Sequence, residues 1–195
     1  MKKIAITGNI GSGKSSCCRI FEILGFPVYY ADQQAKLLMQ KEIEVRQKII
    51  QTFGEESYDE NGLNRPYLSK RVFGDREKLD QLNAIVHPAV HKDLQQWIEK
   101  QQRKGHTAAI EEAALTFEAG HENYFDAIIT VVAPQPMLIR RVMKRDRISR
   151  KQVIERLSRQ WPQEFKCRHS KGIILNDGQH SLIFQVQNII DRWSL

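Results

Sequence analysis

The tightest constraint on this chain lies near its start, where residues 8 to 15 read G-N-I-G-S-G-K-S and fit G-x-x-x-x-G-K-[ST]. The apolar segment Lys3 to Thr7 precedes the run and a helical periodicity begins at Lys14, which predicts strand, loop and helix in that order. Each residue type has a chemical reason. Gly8, Gly11 and Gly13 open backbone angles closed to other residues, so that successive N–H groups can turn inward onto a phosphate. Lys14 brings a flexible ammonium to the β and γ oxygens of a triphosphate, Ser15 offers a hydroxyl to Mg²⁺, and the helix amino terminus adds partial positive charge. The residues expected to contact nucleotide are Gly8, Asn9, Ile10, Gly11, Ser12, Gly13, Lys14, Ser15 and Ser16, with Ser15 facing the metal. A chance match in a chain of this length has a probability on the order of one in a hundred. The loop specifies triphosphate binding but no reaction, because transport ATPases, GTPase switches and small-molecule kinases share it.

Beyond the loop, apolar runs alternate with helical patterns, as in a parallel sheet wrapped by helices. Strands are expected at Lys3 to Thr7, Pro27 to Ala31, Thr107 to Glu112, Asp126 to Val132 and Gly172 to Leu175. Helices are expected at Lys14 to Leu24, Asp32 to Gln40, Glu42 to Phe53, Arg65 to Phe73, Arg76 to Arg103, Pro134 to Arg145, Ser149 to Arg159 and Leu182 to Arg192. The expected fold class is α/β, a P-loop kinase fold with a five-stranded parallel sheet flanked by helices, forming a single domain over 1–195. Residues 41–105 carry helix patterns with almost no strand signal and interrupt the alternation, so they are expected to form a helical insertion beside the carboxyl ends of the strands, where α/β folds bind ligands.

Charge narrows the partners. Thirty basic against 23 acidic side chains give +7, and a pI near 9.4 favours polyanions. No block of five like charges occurs, so the basic residues point to a phosphate pocket and not to a nucleic-acid-binding tail. Three cysteines, Cys17, Cys18 and Cys167, have neither C-x-x-C spacing nor disulfide-scaffold density and are expected to be reduced thiols. The apolar stretch after the two initial lysines is too short for a signal-peptide core, and no run approaches the ~18 residues a membrane span requires. A cytoplasmic location without membrane attachment is the expectation.

Two further positions bear on a reaction. The second expected strand ends V-Y-Y-A-D, placing Asp32 at the rim where the phosphate loop emerges. A carboxylate there can accept a proton from a substrate hydroxyl and hold it in line with a γ-phosphorus, or it can cap the following helix. Arg141 and Arg145 lie four apart, so both leave one helix face about 6 Å apart along the axis. With Arg147, Arg150 and Lys151 close behind, they form either a cationic lid over the triphosphate or a solvated basic face.

At this point the residues resemble a known family. G-N-I-G-S-G-K-S, A-D after the second strand, F-G at Phe53–Gly54, N-G-L-N-R at Asn61 to Arg65, V-F at Val72–Phe73 and L-N-A-I-V-H-P at Leu82 to Pro88 follow the order and spacing of dephospho-coenzyme A kinase. The likeness continues through T-F-E at Thr116 to Glu118, R-x-x-x-R at Arg141 and Arg145, Gln160, and N-D-G at Asn176 to Gly178. The resemblance implies transfer of the ATP γ-phosphate to the 3′-hydroxyl of dephospho-coenzyme A, the last step of coenzyme A synthesis, with ATP and Mg²⁺ as cofactors. It implies that Lys14, Asp32, Arg141 and Arg145 serve catalysis, with Asp32 engaging the acceptor hydroxyl. Asn176 would lie by the adenine. Arg65, His87, Pro88, Glu112 and Glu118 would lie with the acceptor, the 41–105 insertion would be the helical coenzyme A subdomain, and 140–165 the lid.

The sequence also departs from that family. The first acid of its Asp-Ala-Asp is Tyr30; its Asp-x-Pro-Leu-Leu-Phe-Glu segment reads E-A-A-L-T-F-E from Glu112, with Ala114 at the proline; an expected glutamine is Leu138; and Ala-Asp before the last strand is Ser170–Lys171. These changes leave open a weakened turnover or an altered acceptor. The alternatives are a kinase of another small hydroxyl, such as a nucleoside, nucleotide or sugar acid, and a non-enzymatic nucleotide-binding module. Incubation with ATP, Mg²⁺ and a panel of acceptors separates the three.

Overall fold

A computed structural model describes residues 1–72 and 75–195, and these fall into two compact units, Met1–Tyr30 with Lys100–Leu195, and Ala31–Glu99. The insertion expected at 41–105 overlaps the second unit, which takes in the helix carrying Asp32 as well. No helix of the described residues is long and apolar enough to cross a membrane.

The first unit is built on strands β1 (Lys2–Thr7), β2 (Val28–Tyr30), β5 (Ala108–Glu112), β6 (Ala127–Val132) and β7 (Gly172–Leu175). They form one parallel sheet in the order β2-β5-β1-β6-β7. All five expected strands are present, within a residue at each end. Central strands of a parallel sheet are covered on both faces, so they read as continuous apolar runs, and β1 is buried from Ile4 through Thr7. On one face Ile4, Ile6, Ile110, Ile129, Val131 and Ile174 pack against Cys17, Cys18 and Phe21 of helix α1 (Lys14–Ile23) and Val186 and Ile189 of helix α9 (Leu182–Trp193). On the other, Ala5 and Ile128 meet Phe117. Each isoleucine so buried contributes about 1.5–3 kcal/mol over exposure. Burial pushes the Cys17 thiol up to about 12 and Cys18 higher still, so both act as small apolar side chains.

The sequence of β1 and its neighbours in the sheet aligns the strands' carboxyl ends. Ile6 pairs with Glu112 and Thr7 with Thr130. Tyr30 pairs with Glu112 on the far side of β5. The phosphate loop therefore leaves β1 beside the end of β5. Helices α6 (Gln135–Asp146), α7 (Arg150–Ser158) and α8 (Gln163–Arg168) follow β6. Ser149 and Gln152 close a capping box on α7, Ser149 accepting from the Gln152 amide and Gln152 from the Ser149 amide. Arg147, between α6 and α7, holds the left-handed conformation at φ 54°.

The second unit contains helices α2 (Ala31–Lys41), α3 (Ile43–Phe53), α4 (Arg65–Val72) and most of α5 (Arg76–Arg103). Its core is Val45, Ile49, Phe53, Tyr58 and Leu68. It also holds an antiparallel pair, β3 (Tyr58–Asp59) and β4 (Gly62–Leu63), which the sequence did not predict. The turn is closed by Asp59, whose carboxylate accepts the Asn61 amide at 2.8 Å, and by Gly62 at φ 104°. Phe73, expected to end the fourth helix and to complete the V-F pair, lies outside the described residues.

Candidate active site

The loop Gly8–Ser15 spans the gap between β1 and α1 as its spacing requires. Gly13 shows why glycine is needed: at φ 94° it also sits so close to Asn176 that a Cβ would fall 2.0 Å from the amide nitrogen of that residue. No side chain caps α1 among the described residues, which leaves its amino end for a ligand. Lys14 is buried, donates to the Gly8 carbonyl at 3.0 Å and stands 3.9 Å from the Glu112 carboxylate. Ser15 and Ser16 are exposed at the helix start. Inside the loop, Ser12 Oγ and Asn9 Oδ1 are buried without a hydrogen-bond partner among the described residues. Orphaned polar atoms of this kind carry a desolvation cost of about 1–3 kcal/mol each, which a polar ligand relieves.

The walls of the loop come from distant parts of the first unit. Asn176, just past β7, donates from Nδ2 to the Ser12 carbonyl at 2.7 Å and accepts at Oδ1 from Arg141 at 3.1 Å. Arg141 also reaches the Gly11 carbonyl at 3.4 Å. Leu138, at a position where glutamine was expected, is buried, and its carbonyl would meet a Cβ on Gly11 at 2.7 Å. Gln160 accepts the Ile10 amide at 2.9 Å, and the Trp161 carbonyl accepts Asn9 Nδ2 at 3.2 Å. Asp177 caps the Gln179 and His180 amides, and these bonds hold its carboxyl down at about 2.

Arg145 is arranged differently from Arg141. Its guanidinium makes two bonds to Asp146, at 2.7 and 3.1 Å, and Arg156 of α7 pairs with the same carboxylate at 2.7 Å. The Arg145 hydrogen bonds hold the Asp146 carboxyl below the usual range, and Asp146 in turn raises the Arg145 guanidinium. Glu118 is engaged away from open solvent, accepting the Trp161 amide at 2.7 Å and pairing with Lys166 at 2.8 Å. Lys166 is fully buried, and burial lowers its pKa while Glu118 works against that shift. Tyr30, the departure at the second strand, bonds through its hydroxyl to Glu22, and burial raises its pKa.

The remaining expected residues belong to the second unit. Asp32 is exposed in the first turn of α2. The helix begins at Ala31, so Asp32 sits inside the turn and not at the cap, where its negative charge meets the positive end of the helix. Within that unit its carboxylate has no hydrogen-bond or ion-pair partner among the described residues. Arg65 is exposed at the first position of α4. His87 and Pro88 lie within α5, where Pro88 supplies no amide to the helix. Sequence reasoning gave no role to Asp146, Trp161 or Lys166 and none to Gln160 beyond its place in a motif. A basic residue four after a proline-led turn, as Lys166 is, carries no signal that its amine will be buried.

The dephospho-CoA kinase family model matches residues 2–181. A dephospho-CoA kinase of Salinibacter ruber is 40% identical over 179 residues, covering 91% of this chain and 90% of the relative. One from Bacteroides fragilis is 32% identical over 192 residues, covering 96% and 91%. Among solved structures, a Thermus thermophilus protein superposes with a TM-score of 0.86 at 30% identity, covering 100% of this chain and 98% of that one. A dephospho-CoA kinase from Campylobacter jejuni does so at 0.68 and 27% identity, covering 98% and 96%. Shikimate kinase from Acinetobacter baumannii, at 13% identity and a TM-score of 0.59 with coverage of 100% and 93%, shares the fold alone.

Proposed function

This chain belongs to the dephospho-coenzyme A kinase family, and we propose on that premise how its residues transfer a phosphoryl group from ATP to the 3′-hydroxyl of dephospho-coenzyme A. The observation that carries the reading is Lys14, held buried between the Gly8 carbonyl and Glu112 in a loop where Asn9 Oδ1 and Ser12 Oγ have no hydrogen-bond partner among the described residues. An ammonium so placed is set beside the loop amides, where a triphosphate would add charge-assisted bonds to it. The loop amides and the α1 terminus hold the β-phosphate, and Lys14 spans the β and γ oxygens.

Mg²⁺ fits the donors present. Ser15 offers an exposed hydroxyl, Glu112 a carboxylate beside Lys14, and both are hard oxygen ligands. No group of three or more His, Cys, Asp or Glu that could hold a metal ion occurs among the described residues, which suits an ion carried largely by ATP itself. When bound, Mg²⁺ neutralises charge on the β- and γ-phosphates. Asp32 accepts the proton of the 3′-hydroxyl as that oxygen attacks the γ-phosphorus and the bond to ADP breaks. Because the transition state is loose, aim matters more than basicity, and an exposed carboxylate with no partner in its own unit among the described residues can take that role. Arg141 steadies the loop, and Arg145 supplies lid charge. Arg65, His87 and Pro88 are the residues we propose to bind the acceptor. The three cysteines, all free, fit a reducing compartment such as the cytoplasm.

The test follows ADP release with ATP, Mg²⁺ and a panel holding dephospho-coenzyme A, nucleosides, nucleotides and sugar acids. ADP should form with dephospho-coenzyme A alone, and preference for another acceptor overturns the reading. Asp32→Asn should lower kcat about 10²–10⁴-fold with little change in KM for either substrate. A kcat near that of the parent would remove Asp32 from the chemistry.

A further inference from the structure

Three glycines at positive φ, Gly8, Gly11 and Gly13, make the phosphate loop the most permissive backbone in the first unit. An amide in such a loop that does not face phosphate needs another acceptor, or the loop has no single shape. The Ser12 amide turns back to the Asn9 carbonyl at 3.0 Å, and Lys14 ties down the Gly8 carbonyl. The Ile10 amide is held from 150 residues away, by Gln160 Oε1 at 2.9 Å.

Gln160 stands in the short joint between α7 and α8, and that joint is fixed from behind. The Trp161 amide donates to Glu118 at 2.7 Å, and the same carboxylate pairs with the fully buried Lys166, which also donates to the Ala114 carbonyl at 2.9 Å. The Trp161 ring lies nearly parallel to Phe117, 9° between planes with centroids 6.0 Å apart. The Trp161 carbonyl adds a second tie to the loop through Asn9. The chain of contacts therefore runs from the segment after β5, through Glu118 and the joint, to the first half of the phosphate loop.

We propose that Gln160 is a positioning residue for ATP: its side-chain oxygen, held in place by the Trp161–Glu118–Lys166 anchor, sets the orientation of the phosphate loop before nucleotide arrives. The inference rests on residues 8–15 being the ATP phosphate loop. Ordering that is complete in the free protein does not have to be supplied at binding, so loss of the bond is felt in affinity for ATP and not in the acceptor.

The experiment compares the parent with Gln160→Ala and Gln160→Glu, the latter retaining an acceptor oxygen. Gln160→Ala should raise KM for ATP about tenfold, the size of one lost hydrogen bond to a backbone amide, with kcat within about threefold and KM for dephospho-coenzyme A unchanged. Hydrogen exchange should quicken in the peptide containing Ile10 and not in those from α9, and Gln160→Glu should restore its protection. The proposal is overturned if KM for ATP in Gln160→Ala stays within twofold of the parent. It is also overturned if both substrates lose equally, or if Gln160→Glu exchanges as fast as Gln160→Ala. Failure of the parent itself to bind ATP overturns the phosphate-loop reading, whereas a parent that binds ATP with an indifferent Gln160→Ala overturns this inference alone.

Discussion

The two ends of one turn of α6, one against the phosphate loop and one toward solvent, use the same side chain in opposite ways. Arg141 faces inward and gives its guanidinium to the Gly11 carbonyl and Asn176, two groups more than thirty residues away in sequence. Arg145, one turn later on the same helix, has a side chain 61% exposed and gives its guanidinium to the next residue, Asp146. One cation is built into the shape of the site, and the other, itself exposed, pairs with a half-buried neighbour. Part-buried hydrogen bonds to backbone and amide oxygens persist because breaking them leaves acceptors short of a donor, while a largely exposed ion pair is worth about 0.2–1 kcal/mol and exchanges readily for a better anion. The loop side is thus preassembled, and Arg145 keeps a charge that the proposed reading uses in the transition state.

The largest effect that would sharpen this contrast is at Lys14. Lys14→Ala should lower kcat/KM on the order of 10⁴-fold and remove the rise in thermal midpoint that ATP gives the parent. Unchanged ATP-induced stabilisation would mean that the preassembled side is not the nucleotide side. Next comes the pair of arginines, measured together. Arg145→Ala should cost about 10² in kcat and lower the nucleotide-free melting temperature only by the small amount its pair with Asp146 contributes. Arg141→Ala should instead raise KM for ATP about tenfold and lower stability by about 1–3 kcal/mol, because it leaves Asn176 and the Gly11 carbonyl short of a donor. Equal behaviour of the two variants in both kinetics and melting would erase the distinction.

The smallest effect is at Asp146. Asp146→Asn should tighten ATP binding two- to threefold by releasing Arg145, and titration calorimetry resolves a change of that size. Its pH dependence has a definite sign. The Asp146 carboxyl is held below its ordinary value by Arg145, so its stabilising contribution is present above the unfolded value of about 4 and is lost as pH falls through the lowered native value. The melting temperatures of parent and variant should therefore differ at neutral pH and converge only in that acid window.

Much of this arrangement can be read along the chain. The glycine-rich loop needs a strand before it and a helix after it, and each strand of the central sheet announces itself as an apolar run because both faces are covered. What escaped was short or distant. The pair at Tyr58–Asp59 and Gly62–Leu63 is too brief to show alternation, although Asn61-Gly62 is a turn signal. Helix α8, six residues long after Pro162, has no room for a periodic pattern. Glu118 reads as a motif acid on the substrate side, and nothing in its spacing announces that its Oε1 takes the Trp161 amide and Lys166.

By itself, the sequence determined the phosphate loop and the order of the five sheet strands and of the longer helices, because these depend on spacing and on which backbone angles each residue permits. Only the tertiary structure decided that Asn176, Arg141 and Gln160 hold that loop while Arg145 turns to Asp146. A side chain commits to the nearest strong partner that remains unpaired when water is excluded, and that partner is set by the packing of segments far apart in the chain.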